Sequence, residues 1–266
     1  CFKKKEITTE ICSAFEKFSL IWAAFISLFI IFLFRVRVAC DSAYLSDIAI
    51  DFLNGDYSSL TGNGYLVHYP HQLGMIALLE VIYAVFGIEN YTVLQFLNVI
   101  AIVSTIYYLH RISDEMFHKP QIQILLSILC IGLLPLYLYT TFIYGDIPSL
   151  GLIVPAVYYI VRYLNTQKKI YSIPAIVLMT LSMELKSNSS IILVAAIIIL
   201  ILHMICHKDK FVVLFLLLLI GTPYITNTAV NTCYAHAAKL DHIPSGIPKA
   251  AWIAMGLQSN DYIENG

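Results

Sequence analysis

The sequence predicts an all-α polytopic membrane protein of about seven transmembrane helices, with a large first extracytoplasmic loop that contains interfacial helices. Three observations lead there. Hydrophobic residues make up 59% of the 266 positions and charged residues only 12%, against about 45–50% and about 25% in soluble domains. The apolar residues fall in uncharged runs close to helix-spanning length, a bilayer core needing about 20 residues at about 1.5 Å rise each. One polar stretch, residues 41–72, stands apart. It holds Asp41, Asp47, Asp51, Asp56, His68 and His71, and nearly everything after it is apolar.

The first element is residues 18–34, free of charge, behind a polar stretch with Lys3, Lys4, Lys5 and Lys17. A signal peptide shares this order but needs small residues at positions −1 and −3 of its cleavage site. Arg37 takes position −3 of any cleavage before Cys40, so a retained, signal-anchor-like helix is expected. Arg35 and Arg37 are expected to snorkel to lipid phosphates. Residues 42–53 of the polar stretch read as a short loop helix, with Asp47 and Asp51 on its solvated face. Uncharged runs then cover residues 91–110, 120–145, 147–161, 170–183, 187–206 and 211–238. Gly145-Asp146-Ile147-Pro148 divides two of them; proline suits a first helical turn, and Asp146 is a candidate cap. Asn90 and Asn188 open acceptor-type glycosylation triplets, but helix capping is the expected role. The chain opens on Cys1 and stops in polar sequence, which predicts a piece of a longer protein: a membrane domain over 1–238, its outer loop at about 39–90, and 239–266 opening a further extracytoplasmic segment.

Residues 71–87 are apolar but short, with Glu80 at their middle. The excess of Lys and Arg in cytoplasmic loops decides whether they cross. If they cross, 7 of the 16 basic residues lie on the side of the N-terminus. If they do not, 11 of the 16 do, leaving Arg35, Arg37, Lys186, Lys239 and Lys249 on the other side. The second topology obeys the rule. It lays 72–87 along the outer membrane surface with Glu80 facing water.

The same topology gathers the unusual polar groups on the outer side. Ionisable groups at or near membrane depth are functional candidates by default. Asp41 follows the first helix almost directly, Asp146 sits at an outward hairpin, and Glu184 and Lys186 sit at the next one. Two carboxylates and an ammonium at one interface suit a reaction between a charged lipid headgroup and a water-side acceptor. Each also has a structural role to offer: Asp41 and Asp146 as helix caps, Glu184 with Lys186 as an interfacial ion pair, His68 and His71 as ordinary loop residues. Six cysteines lie scattered without a CxxC pair, indicating neither a zinc site nor a disulfide framework. No metal and no cofactor are expected, and no nucleic-acid partner.

The polar stretch also carries a resemblance. Asp41, then Ala49…Phe52-Leu53-Asn54-Gly55-Asp56-Tyr57, then Tyr69-Pro70-His71-Gln72-Leu73-Gly74, resembles the first extracytoplasmic loop of GT-C glycosyltransferases. The branch it is most similar to is that of glycosyltransferase family 39, the protein O-mannosyltransferases and lipid A aminoarabinose transferases. Tyr144-Gly145-Asp146-Ile147-Pro148-Ser149 resembles the family's outward acidic hairpin, and Leu185-Lys186-Ser187 a later outward turn with a basic residue. The family's proline motif often carries a Lys or Glu before its prolines; here Tyr69 and His71 flank a single proline.

The resemblance implies Asp41 as the catalytic carboxylate and Asp146 as the second acidic site. It also implies a polyprenyl-phosphate sugar donor and an inverting transfer, and leaves open a glycan, lipid or protein acceptor. Lys186, His71, Tyr69, Gln72 and Glu184 are the substrate-binding candidates. The expected location is the plasma membrane of a bacterium, with the site on its outer face. The competing readings are a transporter or lipid flippase, and a non-catalytic membrane subunit. Transporters show inverted repeats and sites near the midplane, whereas here the polar groups lie at one interface and no repeat is visible.

Overall fold

The computed structural model describes residues 2–34, 38–248, 250, 251 and 254, with side chains from residue 10 on. Arg35, Arg37 and Lys249, whose placement the sequence argument used, lie outside them. The described residues form eleven α-helices and no strand, the architecture of an all-α polytopic membrane protein.

Helix α1 runs over Phe2–Leu33, so the basic N-terminal stretch is helical as well. Helices α2 (Asp41–Leu53), α3 (Tyr65–His68) and α4 (Leu73–Phe86) follow in the polar region. Then come α5 (Tyr91–Phe117), α6 (Pro120–Gly132) and α7 (Leu134–Leu138), α8 (Asp146–Thr166), α9 (Ser172–Leu185), α10 (Ser190–His207) and α11 (Phe211–Ala237). Five helices are long and apolar enough to cross a membrane; two bent pairs also pass by composition, Pro120–Gly132 with Leu134–Thr141, and Ser58–His68 with Pro70–Phe86, whose 100° bend suits a segment that turns back. The single expected span over 120–145 is broken: the chain bends by 48° between α6 and the segment beginning at Leu134. Pro135 lies in the first turn of α7, where it lacks an N–H for the preceding turn. The expected span over 170–183 is α9, only 14 residues long and wedged against α8 and α11.

Three turns, each closed by a left-handed residue, lie at one end of the bundle: His118 after α5, Gln167 after α8 and Lys208 after α10. Lys119 then takes the extended conformation that a following proline favours. Ionic contacts gather at that end. Arg111 of α5 pairs with Glu16 of α1, Arg162 of α8 with Glu115 at 2.5 Å, and the Tyr163 hydroxyl donates to Asp209 at 2.5 Å.

Within the bundle, α8 lies between α5 and α9. Lipid tails are as apolar as leucine, so association there relies on close packing and on polar glue. Gly151 of α8 supplies the close packing: a Cβ on it would lie 2.5 Å from the Ala101 Cβ of α5. The glue is a buried hydroxyl cluster, Ser149, Ser182 and Ser189, at 2.8–2.9 Å. Thr180 meets Thr222 at 2.9 Å in the same way.

At the opposite end, α2, α3 and α4 form a packed layer with a core of its own, including Leu45, Phe52, Leu66, Ile76 and Leu79. Val230 and Tyr234 of α11 and Leu185 of α9 pack against it. Helix α4 stays at this end along its whole length. Gly74 touches the Glu184 backbone, Tyr83 meets Ser46 of α2 at 2.9 Å, and Glu80 accepts a hydrogen bond from Tyr234. Glu80 is thus half-buried against α11 rather than facing water. A carboxylate near the end of a polar layer gains more from a phenol donor than from partial hydration.

Candidate active site

A cavity of about 820 Å³ opens between the α2–α4 layer and the ends of α8, α9 and α10. Asp41, Tyr65, His68, Tyr69, His71, Gln72, Tyr144, Lys186 and Asn188 contribute to its wall, together with residues 245–247 of the strap that follows α11.

Asp41 is the first residue of α2, and the side chain of its N-cap residue, Cys40, makes no capping hydrogen bond. Asp41 itself is exposed and faces the cavity. Asp146 begins α8 the same way: Gly145 is the N-cap and no side chain caps the helix. Its carboxylate instead accepts a hydrogen bond from Lys186 Nζ at 3.0 Å. The expected pairing of Glu184 with Lys186 does not form. Lys186 turns toward Asp146 and lies 4.2 Å from the centroid of the Tyr144 ring, a cation over an aromatic face. Glu184 instead lines a neighbouring cleft together with Asn227 of α11. Capping by Asn90 does not occur either; its side chain reaches back to the Phe86 carbonyl at 3.0 Å.

Two glycines fix the lysine. A Cβ on Gly74 would lie 2.1 Å from the Glu184 carbonyl oxygen, and one on Gly145 would lie 2.0 Å from that of Leu185. The end of α9 is therefore clamped between the start of α4 and the hairpin before α8. Lys186 follows directly, its backbone extended at φ −151°. Both glycines stand inside the motifs singled out from the sequence, but the surface they meet is more than 35 positions away in the chain.

Tyr144 and Tyr65 are the residues that sequence reasoning missed. Gln72 donates to the Tyr144 hydroxyl, and Tyr65 also interacts with it. Burial first, and then the neighbouring Tyr144 and Asp41, push the Tyr65 phenol above its ordinary pKa. Tyr144 is raised by burial and then by Asp41. Both therefore stay protonated at neutral pH and remain hydrogen-bond donors. Tyr65 stacks on Tyr44 with centroids 5.2 Å apart and leans on Tyr69 at 4.8 Å, giving the cavity an aromatic side. Partial burial first, and Lys186 second, lower the pKa of His71, leaving Lys186 as the positive group beside a neutral imidazole. A period-2 or period-3.6 pattern does not flag these tyrosines; the signals there to see were the aromatic density of residues 57–69 for Tyr65 and the place of Tyr144 at the head of the Tyr144–Ser149 motif.

A second groove of about 380 Å³ begins beside Asp41. It is walled by Val38, Ala39 and Ser42 before and in α2, by Leu138 at the end of α7, and by Phe142 and Ile143 beyond it. It is mostly apolar and adjoins the polar cavity at the Asp41–Ser42 and Ile143–Tyr144 steps.

Fold and site together define a polytopic membrane protein with a polar, cation-bearing cavity at one end of its helices, next to an apolar groove. The chain belongs to the dolichyl-phosphate-mannose-protein mannosyltransferase family, whose model matches residues 71–226, more than half of its length. This is a family of membrane glycosyltransferases of the GT-C type. No curated protein and no solved structure matches the chain. The matched stretch includes Gln72, Tyr144, Asp146 and Lys186, while Asp41 lies ahead of it.

Proposed function

We propose that the protein transfers a sugar from a polyprenyl-phosphate carrier to a hydroxyl acceptor at the extracytoplasmic face of a bacterial plasma membrane. The observation that carries this reading is that two unlike cavities are lined by neighbouring residues, Ser42 and Ile143 in the one, Asp41 and Tyr144 in the other. The groove of about 380 Å³ suits an isoprenoid tail, and the adjoining cavity of about 820 Å³ holds a lysine, two protonated phenols and a carboxylate. A lipid phosphate bearing a sugar has the same division, apolar tail to charged link to polar head.

In this reading Lys186 contacts the donor phosphate, with the Tyr65 and Tyr144 phenols as neutral donors beside it. Asp41 accepts the acceptor's proton as its oxygen bonds to the anomeric carbon. The bond from that carbon to the phosphate oxygen breaks, and the lipid phosphate leaves with the electron pair. Its growing charge is met by Lys186, an electrostatic contribution aimed at the leaving group. The attack comes from the face opposite the phosphate, so the anomeric configuration inverts. Asp146 holds Lys186 in place, and Tyr69, Gln72 and His71 shape the wall. In this reading residues 1–238 are the membrane domain, with 39–90 as its outer loop on the side of the cavity.

The test is turnover of a polyprenyl-phosphate mannose donor by the purified full chain, with release of the lipid phosphate measured. Donor-dependent release that requires Lys186 supports the reading. Absence of release, or a Lys186→Met variant that binds and turns over donor like the wild type, overturns it.

A further inference from the structure

Beyond the large cavity the trough continues. A second cleft of about 520 Å³ shares Pro70, His71, Ser187 and Ser245 with it and runs down between α9, α10 and α11. A third, of about 470 Å³, shares Asn231 and Ile243 with the second and follows the outer half of α11 past His236 to Asp241. The proposed donor chemistry uses neither.

The chemistry of this extension differs from that of the first cavity. It contains no lysine or arginine, so it offers a phosphate no permanent cation. Its polar groups include two carboxylates, Glu184 beside Asn227 and Asp241 at the far end, the imidazoles of His71, His236 and His242, and two carboxamides one helical turn apart. Asn231 Nδ2 donates to Asn227 Oδ1 at 3.1 Å, leaving further donor and acceptor positions on both amides. Ser187 and Ser190 stand opposite. Such uncharged groups are costly at the level of a bilayer unless they meet a partner or water, and both asparagines are exposed or half-exposed along the cleft. The long walls are helical, with backbone groups already paired internally, and only the strap at residues 241–245 brings irregular backbone to the trough. A peptide in extended form would find no strand edge along the helices. Side-chain amides and a carboxylate match vicinal hydroxyls instead, donor to oxygen and acceptor to O–H.

The strap after α11 closes the trough from above. The Ile247 N–H donates to the His68 carbonyl at 3.1 Å, and Gly246 takes a left-handed φ of 77° against Pro70. A Cβ there would lie 2.8 Å from the Pro70 Cδ.

We infer that the cleft at Glu184, Asn227 and Asn231 is the acceptor subsite, and that the acceptor it takes is a neutral carbohydrate. This rests on the donor reading for its role, but its occupant can be measured without the donor. The shared wall at His71 and Ser187 lets a hydroxyl of the bound sugar point from the cleft into the large cavity toward Asp41.

The experiment measures binding of a neutral mannose trisaccharide to the full chain in detergent by saturation-transfer NMR. Wild type is compared with Asn231→Ala, with Asn227→Ala/Asn231→Ala and with Lys186→Met. Asn231 is bonded only within its own helix, so its single variant keeps the test valid if the double variant folds poorly. The expected result is saturable binding that weakens about tenfold in the double variant, the scale of two lost hydrogen bonds, and is unchanged in Lys186→Met. No saturable binding in the wild type, or equal binding in the asparagine variants, overturns the inference. A loss in Lys186→Met as large as that in the asparagine variants places the sugar in the large cavity and also overturns it. So does a serine- and threonine-containing peptide that binds where the trisaccharide does not. A failed donor assay with intact, asparagine-dependent trisaccharide binding overturns only the donor reading.

Discussion

Lys186 Nζ lies 3.0 Å from the Asp146 carboxylate, joining two hairpins that are 40 positions apart in the chain. Their side chains are 20% and 41% exposed, so the pair is screened and contributes little to folding, about 0–1 kcal/mol. Its value is positional, keeping the ammonium over the Tyr144 ring. Asp146→Asn should therefore leave thermal stability nearly unchanged yet weaken donor binding. Donor affinity equal to wild type would remove Asp146 from the site.

The Lys186→Met variant should weaken donor affinity by roughly tenfold or more, the scale of one lost charge-assisted hydrogen bond. Lys239, at the end of α11 and away from the cavity wall, is the control. Equal losses in Lys186→Met and Lys239→Met would reduce the effect to net surface charge.

For Asp41 the expectation is sharper. Asparagine keeps the size and polarity of aspartate at the start of α2 but takes no proton. Asp41→Asn should lower transfer by about 10²–10⁴-fold while the protein folds normally. Asp47→Asn and Asp51→Asn should retain activity. If Asp41→Asn is fully active, the proposed base is wrong; if Asp51→Asn is inactive beside it, the base is Asp51.

The glycine clamp can be read in stability. Gly74→Ala and Gly145→Ala each drive a Cβ onto a carbonyl oxygen of α9, an overpacking that costs about 1–3 kcal/mol. Gly132 has open space around it, so Gly132→Ala should be close to neutral. Thermal unfolding in detergent separates them, and equal melting temperatures for all three would show that the end of α9 is free to shift.

Acid should affect His71 in two opposite ways. Its pKa is lowered in the folded protein, so the unfolded chain binds more protons there. Stability from this group is fully present above the ordinary imidazole value and declines as pH falls through it. Donor affinity should rise over the same window, because a second positive charge joins Lys186. The groups facing His71 include Asp41, Tyr65, Tyr69 and Lys186. Donor titrations from neutral to mildly acid pH on wild type and His71→Gln check this. An unchanged acid limb in His71→Gln assigns it to another group.

Much was legible in the sequence because its physical cause is local. Long uncharged runs fix where spans lie, since an unpaired backbone in lipid leaves few structures besides a helix. Asp41 and Lys186 stood out because charge is rare in this chain and each flanks an apolar run. The α2 helix, the division at Gly145 and the placing of α4 at one end of the bundle follow from the same reasoning. Family membership was readable too, through the motifs around Pro70 and Asp146.

What only the tertiary structure decided is which of these groups meet. Lys186 has Glu184 two positions away but bonds Asp146, because Gly74 and Gly145 clamp α9 and send Lys186 onward in an extended turn. Glu80 looked solvated from its composition and is bonded to Tyr234, a partner 154 positions distant. The break between α6 and α7, the shortness of α9, and the nearness of an apolar groove to the polar cavity around Asp41 depend on helices packed side by side. Hydrophobic patterning specifies that each helix is buried in something. It does not specify in what, because the close contacts that choose partners come from a few small and polar residues whose mates lie far along the chain.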